Sequence, residues 1–264
     1  VVSAGDDFLI CEGEIVLLQG TAENHTSIEW TTQGDGFFDN AGVLNASYTP
    51  GANDILNGTV ELCLTATGEA NCANVSDCMS IGIQPLPEIE AGTNLTICEG
   101  SAVNLSANAN NYSEIEWTTG GDGTFAQTAA PSTQYIPGIE DINNGVVQLC
   151  VTATGNSGCG NAEDCLTLFI DPQPTANAGE DSIICAGENV MLAGSAANYS
   201  SINWSTSGDG FFDNPGGLNT TYSPGSNDIN NGFVNIELTA FTSGECSNAS
   251  DILTITIQKP PIAE

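Results

Sequence analysis

Apolar and polar residues alternate along this chain in short runs, and the runs return at a fixed spacing. Val60, Leu62, Leu64 and Ala66 are separated by Glu61, Cys63 and Thr65. The same pattern recurs at Val147, Leu149, Val151 and Ala153, and again at Val234, Ile236, Leu238 and Ala240. A period of two puts one face of a strand against a core and the other toward water. The following run turns Met79, Ile81 and Ile83 inward and Cys78, Ser80 and Gly82 outward. Val16 and Leu18 alternate likewise, as do Ile28 and Trp30. Turn chemistry fills the gaps at Gly34-Asp35-Gly36, Pro50-Gly51, Asn57-Gly58 and their counterparts. No segment sustains a helical period.

The spacing of these runs is 87 residues, the interval separating Trp30, Trp117 and Trp204. Cutting at 4–90, 91–177 and 178–264 gives three equal repeats, and residues 1–3 read as the tail of a preceding one. The chain therefore reads as an internal slice of a longer array. A period this long predicts complete small domains rather than the single hairpins of a solenoid. About seven short strands per repeat, with one inward tryptophan, predict an all-β chain of three tandem immunoglobulin-like β-sandwich domains in an extended rod. Trp30 falls where such domains place their core tryptophan, on the third strand. Tyr48, Tyr135 and Tyr222 precede Thr-Pro-Gly, Ile-Pro-Gly and Ser-Pro-Gly and are expected to pack at a strand end rather than to form a ligand platform.

Charge narrows the function. The chain has 33 acidic residues against a single lysine, Lys259, and no arginine, for a net charge of −32. Such a chain repels nucleic acid and anionic membrane surfaces. No apolar stretch is long enough for membrane insertion, and no segment reads as a signal peptide. Disorder is excluded by the 40% hydrophobic content and its strand periodicity. Catalysis lacks raw material: with one histidine, one lysine and no arginine, no base or cation recurs between repeats. His25 is expected in a surface loop between Asn24 and Thr26. The carboxylates read as solvated faces rather than as a glycosidase pair. Lys259 is also too solitary for Lys–Asn isopeptide cross-links, and it leaves trypsin-like proteases almost nothing to cut. The Asn-x-Ser/Thr triplets at Asn24, Asn104 and Asn198 are expected by chance in so polar a chain.

Ten cysteines at repeating positions point to disulfides and an oxidising, extracellular setting. Zinc is disfavoured because no Cys-x-x-Cys occurs and the histidine is not repeated. The first two repeats carry Cys11, Cys63, Cys72, Cys78 and Cys98, Cys150, Cys159, Cys165; the third keeps Cys185 and Cys246 but has Glu237 and Ile252 at the other two positions. Half-cystines should disappear together, so Cys63 is expected to pair with Cys78, and Cys150 with Cys165, across adjacent strands. The remaining pairs stay open. Co-retention favours Cys11 with Cys72, Cys98 with Cys159 and Cys185 with Cys246, within each repeat. Sandwich topology instead favours Cys11 with Cys159 and Cys98 with Cys246, joining neighbours end to end.

Calcium is the one cofactor the residues suggest. Asp35, Asp122 and Asp209 lie in Gly-Asp-Gly turns, Asp54, Asp141 and Asp228 in Asp-Ile-x-Asn-Gly turns, and Asp77, Asp164 and Asp251 open the last strand. Asp6, Asp7, Glu88, Glu90, Glu180 and Asp181 add carboxylates near the junctions. Against calcium, no EF-hand spacing occurs, and aspartate is common in turns because it caps local backbone donors.

Ala4-Gly5, Ile10-Cys11-Glu12-Gly13, Trp30 with Gly34-Asp35-Gly36, Tyr48-Thr49-Pro50-Gly51, Asp54-Ile55 and Asn57-Gly58 recur in all three repeats with small changes. This combination resembles the immunoglobulin-like, PKD-like repeats of very large Bacteroidetes surface adhesins exported by type IX secretion, those of the SprB gliding-motility family in particular. Two or three extra residues between Trp30 and the Gly-Asp-Gly turn depart from the PKD pattern, so that likeness extends to the fold only. The resemblance implies the cell surface of a Gram-negative bacterium and structural extender repeats in a filament for attachment and gliding motility. The partners it implies are neighbouring repeats of the same chain and extracellular polysaccharide or surfaces. Two other readings are a glycan- or surface-polymer-binding module, for which Tyr112 and Tyr199 are the candidate loop aromatics, and accessory domains of a secreted enzyme.

Overall fold

The computed structural model describes residues 1–69 and 72–261. It contains three immunoglobulin-like β-sandwiches in tandem. In the first domain the strands are β1 (Val2–Ser3), β2 (Phe8–Cys11), β3 (Val16–Leu17), β4 (Thr21–Ala22), β5 (His25–Thr32), β6 (Phe37–Phe38) and β7 (Ser47–Thr49), followed after a short helix α1 (Ala52–Asn57) by β8 (Thr59–Gly68) and β9 (Val75–Gln84). One sheet has the order β2-β9-β8-β5, and the opposing layer consists of β3-β7-β6 with the β1-β4 pair at its side. The other two domains repeat this order.

Nine strands thus appear per domain where the alternation predicts about seven. The additional ones are two- and three-residue edge pieces too short to carry a period. For the same reason Trp30 lies on the fifth strand in chain order, not the third. Residues 52–57, 139–144 and 226–231 are helical, although no segment of the sequence carries a helical period. Six residues amount to less than two turns. Each helix stops at a glycine in the left-handed region, with φ of 70° at Gly58, 69° at Gly145 and 79° at Gly232.

The short first strand alters the domain edges. Val2–Ser3 pair with Thr21–Ala22. In the same way Glu88–Glu90 pair with Asn108–Asn110 of the second domain, and Thr175–Asn177 with Ser195–Ala197 of the third. Residues just before each equal sequence cut therefore belong to the following sandwich, and residues 85–87 and 172–174 are the links. Residues 262–264, the end of the third sequence repeat, lie outside the described residues.

The alternating runs build the cores. In the first domain Leu62, Leu64 and Ile81 are fully buried beside Trp30 and Tyr48. Each tryptophan donates its indole N–H to a carbonyl of the opposing layer, Val43 for Trp30 (3.1 Å), Ala130 for Trp117 (3.0 Å) and Gly217 for Trp204 (2.9 Å). The bond satisfies the one polar atom of a buried ring and ties the two layers together. Phe38 bridges Trp30 and Tyr48, with its ring centroid 4.9 Å from that of the tyrosine, and the other two domains repeat this aromatic row.

The first long strand, β2, pairs parallel to the last one, β9, with Cys11 opposite Gln84. Cys11 therefore sits at the pole where β9 ends, while Cys72 lies in the loop where β9 begins. Ten residues of strand separate the two, about 30 Å at the usual rise. This separation governs the disulfides.

Candidate functional site

Two repeated constructions gather the residues singled out above: an aspartate–tyrosine centre inside each domain, and a cysteine joint between domains.

The centre starts from Asp54, which is 2% exposed. Burying a carboxylate is costly unless donors replace its water. Its oxygens accept from the Tyr48 hydroxyl (2.6 Å) and from the backbone N–H groups of Gly51 (3.0 Å), Gly36 (3.1 Å) and Asp35 (3.2 Å). Asp35 acts in the opposite direction: its carboxylate accepts from the N–H groups of Asn53 (3.1 Å) and Asp54 (3.2 Å), capping α1. The Gly-Asp-Gly turn and the helix thus hold each other through two carboxylates. Gly36 has no alternative, since a side chain there would run into the Tyr48 hydroxyl.

The second domain repeats the arrangement, Asp141 accepting from Tyr135 (2.6 Å) and Asp122 capping Glu140 and Asp141. In the third, Asp228 accepts from Tyr222 (2.7 Å) while Asp209 caps Asn227 and Asp228. The backbone bonds, that from Asn53 foremost, hold the Asp35 carboxyl below its ordinary value, and the Asp122 carboxyl is lowered in the same way, first by Glu140. Burial, reinforced by the bond to the aspartate, pushes the phenols of Tyr48 and Tyr135 up to about 12. Burial does the same for Tyr222, also to about 12.

Five further aspartates also serve the backbone. Asp77, Asp164 and Asp251 each accept at 2.8 Å from the N–H of a buried alanine, Ala4, Ala91 or Ala178, fastening the entry of each domain to its last strand. Asp7 and Asp181 accept from Ser80 and Thr254 across the β2–β9 pairing and its equivalent. Among the described residues these carboxylates are spread over separate tasks along the domains, and in the second domain Asn94 takes the place of Asp7 and Asp181, accepting from Thr167. The hydrogen-bond donors to these carboxylates are drawn from the fold itself. His25 opens β5 opposite Gly68 instead of lying in a loop, with its Nδ1 buried and without a partner among the described residues. Tyr112 begins the equivalent strand and packs against the second core, whereas Tyr199 is exposed.

The cysteine joint follows from the parallel pairing. Cys11 is bonded to Cys159 of the second domain, with Cα atoms 5.3 Å apart, and Cys98 to Cys246 of the third, at 4.8 Å. Within the domains, Cys63 faces Cys78 and Cys150 faces Cys165 across adjacent strands, each pair bonded with Cα atoms 4.0 Å apart. In the third domain Glu237 and Ile252 occupy the same opposed positions. The within-repeat pairings of Cys11 with Cys72, Cys98 with Cys159 and Cys185 with Cys246 do not occur, because each would have to span the length of a sandwich. Cys72 and Cys185, read from the sequence as half-cystines, are free and exposed. Asparagine side chains assist the joint: Asn111 donates to the carbonyl of Leu86 (3.3 Å) and Asn198 to that of Gln173 (2.9 Å), each from a turn with positive φ.

No family profile and no curated sequence matches the chain. Its likenesses are to solved structures. A three-domain immunoglobulin segment of titin, an E-to-A variant, aligns over 97% of this chain and 96% of that one, with 13% identity and a TM-score of 0.50. Drosophila N-cadherin EC1-4 aligns over 97% of this chain and 73% of that one, with 16% identity and a TM-score of 0.42. The titin likeness defines the class: a tandem array of immunoglobulin-like domains. Among the described residues, no helix is long and apolar enough to cross a membrane.

The centre makes two testable demands. Replacing Asp141 by alanine leaves the Tyr135 hydroxyl and the turn N–H groups without their acceptor, and should cost the second domain at least about 3 kcal/mol; domain-resolved hydrogen exchange under urea measures it. The tyrosines set the alkaline limit. A folded phenol at about 12 against an ordinary 10.0 keeps its proton where the unfolded chain loses it. Stability is therefore complete below pH 10 and falls as the pH rises toward 12. Circular dichroism across that window should record the loss, with tyrosine absorbance at 295 nm rising in step.

Proposed function

We propose that this chain is a run of extender repeats in a cell-surface adhesin filament, displayed by a Gram-negative bacterium and used in attachment and gliding. The observation that carries the extender reading is the pair of disulfides between successive domains, Cys11–Cys159 and Cys98–Cys246. A bond that crosses a domain junction limits bending there, which is of use to a stalk. Four disulfides also favour an extracellular setting. The charge of −32 adds repulsion between neighbouring rods. At physiological salt it acts over only about 8 Å, so it discourages lateral sticking without setting the overall shape. The assignment to gliding and type IX export rests on the recurrent motifs from Ile10-Cys11-Glu12-Gly13 to Asn57-Gly58.

Small-angle X-ray scattering in chelator and then in calcium tests this reading. With each domain roughly 40 Å long, the extender reading expects a rod on the order of 120 Å in both buffers. A compact particle in both would contradict it. A flexible string that straightens only in calcium would transfer the stiffening role from the disulfides to the junction carboxylates.

A further inference from the structure

Cys72 and Cys185 are each one half of a joint that the same structure completes twice. Cys72 occupies the loop before the last strand of its domain, the position of Cys159 and Cys246, 87 and 174 residues further on. Cys185 ends the first long strand of its domain, the position of Cys11 and Cys98. At both internal junctions a cysteine of the second kind is bonded to one of the first kind in the next domain, always in the same direction and with the same sequence separation of 148. Completion of the joint changes the environment of the loop cysteine: Cys159 and Cys246 are buried at 2% and 6%, whereas Cys72 is exposed. The edge strand of the first domain, Val2–Ser3, is already seated as Glu88–Glu90 and Thr175–Asn177 are. The receiving pole of the first domain therefore has the same edge strand, and a loop cysteine at the same position, as those that accept Cys11 and Cys98.

We propose that Cys72 and Cys185 are complementary docking thiols, each built to bond a further repeat of this kind head to tail, Cys185 taking the loop cysteine of a following repeat and Cys72 the strand-end cysteine of a preceding one. The two thiols are of different kinds, one at a strand end and one in a loop, which makes the contact directional, and two copies of the 264-residue chain can supply both halves. The proposal goes beyond the extender reading and depends only on the junction geometry, holding whatever surface or motion the array serves. The bond needs an oxidant, for which glutathione disulfide suffices. One cysteine thiolate attacks a sulfur of glutathione disulfide, breaking its S–S bond and releasing a first glutathione thiolate. The second cysteine thiolate then attacks the protein sulfur of that mixed disulfide and releases the other glutathione. Two protein thiols are oxidised, and one glutathione disulfide is reduced to two glutathione thiols, which retain the two protons.

The test uses the 264-residue chain as two single variants, C72S and C185S, with the four internal disulfides formed. Both positions are exposed, and circular dichroism verifies that each variant folds. Each variant is incubated in a glutathione redox buffer alone and in an equimolar mixture, and dimers are counted on non-reducing gels. The mixture should give at least about tenfold more dimer than either variant alone, because only there does docking raise the effective concentration of the opposing thiol. Peptide mapping should find Cys185 joined to Cys72. Equal dimer in all three samples means random thiol encounter and overturns the proposal, and so does capping by glutathione alone. Because scattering from the monomer reads the extender function separately, the two ideas fail independently.

Discussion

The parallel pairing of the first long strand with the last determines how this protein is held together. Had β2 run antiparallel to β9, Cys11 would finish beside the loop that holds Cys72, and each domain could close on itself. Running parallel, β2 delivers its cysteine to the far pole, where it meets Cys159 of the next domain. The same choice is made in the second domain, where Leu95–Cys98 pair parallel with Leu168–Asp171 and Cys98 reaches Cys246. Local strand register thus becomes a long-range covalent order. A chain constrained in this way loses conformational freedom when unfolded, and loops of this length are worth several kcal/mol on the usual chain-entropy account.

Such joints are useful only if each sandwich keeps its poles in place, and the aspartate–tyrosine centre supplies that rigidity. Asp54 is buried among donors of the turn at 34–36, the N-terminus of α1 and the ring of Tyr48, so three separate segments share one carboxylate. Tyr48 also stands at the end of the aromatic row that begins at Trp30, which connects the polar centre to the hydrophobic core. A polar group buried with its donors in place favours one arrangement of those segments over looser ones. The third domain has no cross-strand disulfide yet keeps the centre, with Asp228, Tyr222 and Asp209 in the same roles. The centre accompanies the fold more constantly than the cross-strand bridge does.

The sequence reveals most where side chains alternate. The strand of Val60 to Ala66, the inward tryptophans and the three-domain organisation all follow from periods of two and of 87. Edge strands of two residues and helices of six carry no period, and they escape. The role of Asp54 also escapes, because a buried aspartate and a solvated one look alike as letters. A signal is nevertheless present: Gly34-Asp35-Gly36, Tyr48 and Asp54 recur together in every repeat, as a mutually bonded set must. The partner of Cys11 is ambiguous in the sequence for another reason. Both kinds of cysteine persist in all three repeats, as they would for bonds within a domain or between neighbours, and only the parallel strand separates the two cases.

The most direct measurement is a disulfide map of the unreduced chain. Free thiols are first alkylated, then the protein is digested with pepsin at low pH to prevent exchange, and linked peptides are identified by mass spectrometry. Peptides joining Cys11 to Cys159 and Cys98 to Cys246, with the alkyl label on Cys72 and Cys185, are the predicted result. Peptides joining Cys11 to Cys72, Cys98 to Cys159 and Cys185 to Cys246, with no label taken up, would contradict the account of a chain bolted domain to domain.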